Sequence, residues 1–207
     1  DDQFIKSALA RVTWQMTSKW KLGVYQDEID KYRGHDMQSR YDPETAATQW
    51  FSPAYHTNQA KLTGTLTPRL LIEGGFSSNL EYYTNSYRDG IEQPRGTAAW
   101  FANTAQQELD LGGVQRASLG QTTQSPSRYN WQASASYVTG AHNIKAGVQY
   151  QRGTFTHSVD ANGDLYQVYR SSRTGVPYTV PDSVVIRNTP LSKYGERMNY
   201  DVGIFLQ

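Results

Sequence analysis

Tyr129-Asn130-Trp131-Gln132-Ala133-Ser134-Ala135-Ser136-Tyr137-Val138 is the stretch on which the fold turns. Tyr129, Trp131, Ala133, Ala135 and Tyr137 occupy alternate positions, with Asn130, Gln132, Ser134 and Ser136 between them. Successive side chains of a β-strand point to opposite faces. The stretch therefore predicts a strand with one apolar and one wholly polar side. Aromatic residues stand towards both ends of the apolar side, and small residues lie between. Tyr and Trp combine an apolar body with a polar tip, which suits a boundary between grease and water.

The pattern recurs outward in both directions. Ile144, Ala146, Val148 and Tyr150 alternate with Lys145, Gly147, Gln149 and Gln151. Met198, Tyr200, Val202, Ile204 and Leu206 alternate with Asn199, Asp201 and Gly203, and Phe205 breaks the pattern. Near the start, Ala8, Ala10, Val12, Trp14 and Met16 alternate with Leu9, Arg11, Thr13 and Gln15; Trp20, Leu22 and Val24 follow, against Lys19, Lys21 and Gly23. Segments 54–66 and 69–84 are strand-like, with Leu70, Ile72, Gly74, Phe76 and Leu80 on one side of the second. The expectation is about seven strands of roughly 10–14 residues, long enough to cross a bilayer at a tilt.

The connections alternate in length. Short turns fall at Thr17-Ser18, Thr67-Pro68 and Thr139-Gly140-Ala141-His142, and long polar connections at 31–53, 85–126 and 160–196. Tight turns on one side and long loops on the other are the arrangement of an up-and-down transmembrane β-barrel of a bacterial outer membrane. A soluble β-sandwich also alternates, but its strands average about five to six residues, and its long loops do not keep to every second connection. On this reading Trp14, Trp20, Tyr129, Trp131, Tyr137, Ile144, Val148, Tyr150, Tyr200, Val202 and Ile204 face lipid. Arg11, Gln15, Lys19, Lys21, Lys61, Gln132, Lys145 and Gln149 face a lumen, either as a wet channel wall or as the seat of a plug. Their mixed charge and many amides suit a plug surface better than a selectivity ring of one sign.

Composition agrees with this frame. The 207 residues are 37% hydrophobic yet 13% aromatic, with 15 Tyr and 5 Trp. Disordered chains are poor in aromatics. The net charge of +1, from 20 basic and 19 acidic residues, gives no electrostatic case for nucleic acid. There is no cysteine, hence no disulfide framework. No apolar run reaches the length of about 18 residues that a transmembrane helix needs.

Three features of the long connections stand out. The run Asp27-Glu28-Ile29-Asp30-Lys31-Tyr32-Arg33 reads as a solvated charged segment. Thr97–Asn103 reads as a short helix packed on the barrel mouth. Asn162-Gly163 is a strong hairpin signal between Thr154–Val159 and Asp164–Tyr169. The Asp160-Ala161-Asn162-Gly163-Asp164 string resembles the opening of a calcium loop, but an EF-hand needs Gly sixth and Glu twelfth, whereas here Gly163 is fourth and Ser171 twelfth.

None of the four histidines, His35, His56, His142 and His157, has metal-ligand spacing, and no nucleophile elbow or phosphate-binding loop occurs. No cofactor, metal or catalytic residue is expected. A rim enzyme would require His35 or His157 within hydrogen-bond reach of an acid at the mouth, with Asp27, Asp30 and Asp36 as nearby carboxylates.

Asn162-Gly163-Asp164-Leu165-Tyr166-Gln167-Val168-Tyr169-Arg170, then Val176-Pro177 and Asp182-Ser183-Val184-Val185-Ile186-Arg187-Asn188-Thr189-Pro190, resembles large TonB-dependent outer-membrane transporters, in the group with an N-terminal carboxypeptidase-regulatory-like domain. Met198–Gln207 is similar to a strand that this family continues into Asp-x-Trp, and Trp131–Gln149 resembles it too. The resemblance implies a barrel of about 22 strands, with residues 1–207 as a partial barrel domain. It also implies a plug domain elsewhere in the protein, coupling to the TonB complex through a segment absent here, and uptake of a bulky extracellular solute. Seven is an odd count where bacterial barrels are even, and both ends read as falling within strands, so a cut from a larger barrel is expected. The competing expectation is a small complete barrel with an adhesin or structural role.

Overall fold

The computed structural model describes residues 2–37, 43–187 and 193–207. Asn188, Thr189 and Pro190 of the family-like string lie outside them. Seven long strands form one antiparallel sheet: β1 (Gln3–Gln15), β2 (Trp20–Asp36), β3 (Thr48–Thr67), β4 (Leu70–Tyr87), and, after the second long connection, the strands Gln121–Thr139, His142–Asp160 and Lys193–Leu206. The second connection contributes a helix α1 (Ala98–Ala102) and two short strands, β5 (Ala105–Glu108) and β6 (Gly113–Gln115), so the long strands that follow are β7 and β8. The third contributes β9 (Leu165–Tyr169), α2 (Ser171–Thr174) and β10 (Pro181–Ile186), and the last long strand is β11.

The large sheet runs β1-β2-β3-β4-β7-β8-β11, with β1 and β11 as its edges. β10, β9, β5 and β6 form a separate four-stranded sheet in which β5 and β9 are parallel.

The short turns are where the alternation stops. Thr17 Oγ1 accepts from the backbone of Lys19 and Trp20 at 3.2 and 3.1 Å, and Thr67 Oγ1 accepts from Arg69 N at 3.2 Å. These side chains satisfy turn amides that the ladder leaves free. β1 and β11, at 13 and 14 residues, match the length expected from the sequence, and the other five, at 17–20 residues, exceed it because they grow out into the polar connections. The charge run Asp27–Arg33 is therefore not a loop: it lies within β2, paired on both sides.

Two further expectations are corrected. Asn162-Gly163 does form a turn, with Gly163 at φ +73, but β8 and β9 do not pair across it. The edge of β8 is already taken by β11, where Lys193 and Tyr194 face Ser158 and His157. Met198 does not share a side with Val202 and Ile204. A bulge between Met198 and Asp201 inserts one residue and switches the phase, so Met198 lines the polar side with Glu196.

Candidate functional site

Register decides what the large sheet presents. On one side, Trp20, Gly64, Ile72, Ala135, Ala146 and Leu206 make a row across six strands. Further along, Val24, Ala60, Phe76, Trp131, Tyr150 and Val202 make another. The residues read from sequence as lipid-facing fall on this apolar side: Trp14 opposite Leu22, Tyr137 opposite Ile144, Val148 opposite Ile204, and Tyr129 two residues along from Trp131; Tyr200 stands in the β11 bulge. The side is uncovered, with Trp14 58% and Ile204 84% exposed. Towards its cap end, Phe76, Trp131 and Tyr150 form a chain of rings with centroids 5.3 Å apart, and Tyr129 stacks on Trp131 at 6.1 Å. In a sheet folded for water this surface would be a core; here nothing packs on it among the described residues.

The opposite side is polar in the same rows. Gln59, Ser77, Asn130 and Gln151 stand in line across β3, β4, β7 and β8. Lys61, Gly75, Gln132 and Gln149 follow towards the short turns, and Thr63, Glu73, Ser134 and Gly147 after them. Clefts of about 810 and 480 Å³ open on this side and share Gln59, Ser77, Arg128 and Asn130. A third, of about 710 Å³, holds Arg11, Lys21, Lys61, Asp27 and Glu73.

Glu73 is the charge centre of this wall. Its two oxygens take Lys61 Nζ at 2.6 Å and Lys145 Nζ at 3.5 Å, and Lys145 reaches it across the small Ser134 of β7. Arg11 and Lys21 have no carboxylate partner among the described residues. Of the other lumen candidates, Gln132 and Gln149 stand in the rows, while Gln15 uses its amide to close the first turn, donating to Thr17 O at 2.6 Å. Lys19 belongs to that same turn.

The long connections fold into a cap at the other end of the strands. Its centre is Tyr87, Ala105 and Ala117, with Ile91, Leu119 and Tyr166 packed around them. Asn162 staples the pieces: its N–H donates to Tyr87 Oη at 3.2 Å, and its amide donates to Ile91 O at 2.8 Å and Asn103 O at 3.3 Å. Next to it Gly163 abuts Thr104 so closely that a Cβ would collide with the hydroxyl. The Asn-Gly pair thus serves a close approach of chains rather than a hairpin.

The β5–β9 interface is knit by amides. Gln106 donates to Gln167 Oε1 at 2.9 Å and Tyr169 Oη at 2.8 Å, and accepts from Gln115 at 2.7 Å. Glu108, fully buried, accepts from Ser171 N at 2.9 Å and Asp110 N at 3.2 Å. Asp110 in turn accepts from Ser172 N at 2.8 Å, and that hydrogen bond holds its carboxyl below the ordinary aspartate range. The expected helix at Thr97–Asn103 is α1. Thr97 caps it by accepting from Trp100 N at 3.1 Å, and Trp100 is buried.

His35 lies between acids, though not those nearest in sequence. Its Nδ1 meets Asp2, its Nε2 meets Glu44 at 3.1 Å, and Arg88 joins Glu44 at 2.6 Å and Gly34 O at 2.6 Å. Asp36 pairs with Arg33 instead, and Asp27 lies on the polar wall. The His35 hydrogen bond holds the Asp2 carboxyl below its usual value. These contacts join the start of β1, the end of β2 and two connections. Among the described residues no cluster of His, Asp or Glu is arranged to hold a metal ion, and no helix is long and apolar enough to cross a membrane.

The sequence reading missed the whole cap interior: Glu108, Gln106, Gln167 and Tyr169. Only Gln167 and Tyr169, two apart, hinted at a shared strand face.

With this geometry the chain resembles an outer-membrane β protein of known structure. It is similar to the crystal structure of the outer membrane transporter YddB from Escherichia coli, with 11% sequence identity and a TM-score of 0.58. The match covers 99% of this chain and 25% of that one, so the chain spans about a quarter of the length of the protein it resembles. At that identity the likeness is one of fold. No family model and no curated protein sequence matches the chain.

Proposed function

We propose that this chain forms part of the wall and extracellular rim of a TonB-dependent outer-membrane transporter, which takes up a bulky solute. The observation that carries the reading is the two-sided sheet, with an uncovered apolar side ending in aromatic tiers and a polar side set with amides and charges. An apolar surface of this extent is stable only when something apolar covers it, and in a barrel wall that is lipid. Tyr137 and Tyr129 are eight residue steps apart on β7. That is about 27 Å of strand at ~3.4 Å per step, or roughly 20 Å of depth at a tilt of ~40°, close to the ~25 Å apolar band of outer-membrane barrels. The remaining strand ends and the cap then stand outside the bilayer.

The edges of β1 and β11 support a larger barrel. In lipid, their free N–H and C=O groups require partner strands, which we assign to further strands of the same protein. The polar rows suit a plug domain docked against the wall, since amides can pair with backbone and side chains of either polarity. The long connections and their cap are the natural place for solute capture. We assign His35 and its acids to holding the cap, not to catalysis.

Two measurements test the proposal. The whole protein should float with lipid vesicles and migrate differently on gels with and without boiling; recovery as a monomer in detergent-free buffer would overturn the membrane reading. Solute uptake by cells should stop when the inner-membrane proton gradient is collapsed or TonB is removed. Uptake that persists would leave a passive barrel and remove the TonB coupling.

A further inference from the structure

We infer that the apolar side of β8 and β11, just beyond the upper aromatic tier, holds the phosphate of a lipid headgroup through Arg152 and Arg197, with Lys193 further out on the same strip adding positive charge. The inference rests on the membrane placement proposed above. Arg152 lies opposite Tyr129, Arg197 opposite Thr154, and Lys193 opposite Ser158. Along β8, residues 150, 152, 154 and 158 share a side, so the three cations stand on the side of Tyr150 and on the outer end of the sheet. All three are exposed. None has a carboxylate partner among the described residues, although other arginines of the cap end do, as in Arg88 with Glu44 and Arg173 with Asp182.

The surroundings select the ligand. Around the cations this side carries hydroxyls, among them Ser127 and Thr154, whose oxygens are 2.6 Å apart. Glu196, the nearest acid in sequence, faces the polar wall with Met198. Asp160 is on the same side, two residues beyond Ser158 and so beside Lys193, but eight residues from Arg152. The patch is therefore a net positive, donor-rich strip. Guanidinium forks bind phosphate oxygens in pairs, and a lysine ammonium adds a point charge. Directly beneath lie Tyr150, Trp131 and Val202, an apolar surface continuous with the patch. A free anion would use the charges and leave that surface idle, whereas a phospholipid uses both, headgroup above and acyl chain below. Aromatic rings at headgroup depth mark the same boundary.

The test uses the whole protein extracted in mild detergent and exchanged into mixed micelles holding equal dioleoyl phosphatidic acid and dioleoyl glycerol, with native mass spectrometry reading the retained lipid. The expected result is at least a tenfold preference for phosphatidic acid, falling to within twofold in the triple variant Arg152→Gln, Arg197→Gln, Lys193→Gln. The pair Arg152→Lys, Arg197→Lys should keep most of the preference. Should the triple variant not fold, Arg152→Gln alone is expected to cut the preference at least threefold. Equal retention of both lipids by the unaltered protein would overturn the proposal, as would a folded triple variant with the preference intact. Displacement of the lipid by equimolar inorganic phosphate would assign the site to a free anion and overturn it too. A protein that enters neither micelles nor vesicles would fail the membrane reading itself, a result distinct from loss of lipid preference.

Discussion

The indole of Trp20 lies flat against the backbone of Gly64, at the cross-strand position where β2 meets β3. A Cβ built on Gly64 would press into the six-membered ring far inside van der Waals contact, with Cη2 at 2.6 Å. The glycine is thus what lets the indole lie down at the short-turn end of the apolar side. A Gly64→Val exchange should lift the indole and cost about 1–3 kcal/mol, the usual range for overpacking. Urea unfolding in vesicles followed by tryptophan emission should show the lowered midpoint. An unchanged midpoint with unshifted emission would mean that Trp20 does not rest there.

Asn162→Ala removes the two side-chain hydrogen bonds, to Ile91 O and Asn103 O, that join the ends of the second and third connections, and keeps the backbone bond to Tyr87. The Ile91 carbonyl keeps a donor in Asn103 Nδ2 at 3.3 Å, so the expected cost is that of the two lost hydrogen bonds, about 1–3 kcal/mol together. That loss should be local to the cap, since the long strands are held by their own ladders. Limited proteolysis is expected to cut within 88–120 faster than in the unaltered protein while the strand core survives. Uniform degradation of the whole chain would contradict a cap that is stapled separately.

Glu73→Gln leaves Lys61 and Lys145 without their shared carboxylate. Both lysines are partly exposed to water, which screens the pairs, so the change in stability should stay below about 1 kcal/mol. The electrical effect should be larger. A wall already carrying unpaired Arg11 and Lys21 becomes more positive, and ion leak through the protein in a planar bilayer should shift towards anions. A reversal potential that does not move would place Glu73 away from any conducting path.

Asp110 predicts how acid acts on the cap. Its folded-state pKa is depressed by the Ser172 N–H, so the stabilisation it supplies is present above the unfolded value near 3.8 and disappears as pH falls through the lower folded value. Hydrogen exchange at Ser172, corrected for the intrinsic pH dependence, should lose protection only in that acidic window. In Asp110→Asn the pH dependence should vanish. Protection that instead faded on raising pH towards neutrality would contradict the assignment.

The seven long strands were legible because each carries its own period-two pattern, so Tyr129–Val138 or Ile144–Gln151 can be read without knowing its neighbour. The two-sided wall followed from the same signal, and Trp131, Tyr150 and Val202 stand in one row as that signal implies. What failed was whatever depends on a partner distant in sequence. Met198 was misplaced because a bulge is a property of a strand pair, and nothing in Met198-Asn199-Tyr200 announces it. Asn162-Gly163 was misread as a hairpin because the turn is local while the pairing is not: β11 had claimed the edge of β8. The strands β5 and β6, four and three residues long, carry too few side chains to show a period.

The parallel pairing of β5 with β9 also sets an order of events in folding. Ala105 meets Tyr166 only after the chain between them has traversed β7, turned at Gly140 and returned through β8. Contacts of such sequence separation carry a loop-closure cost that is repaid late. The hairpin must therefore close before the cap has a second half to bind, and the cap is expected to assemble as a slow final phase. Until then Val114, Val168 and Trp100, buried in the finished molecule, are open to solvent. The newly made chain thus has an interval in which its long strands are paired and its capped end is still open.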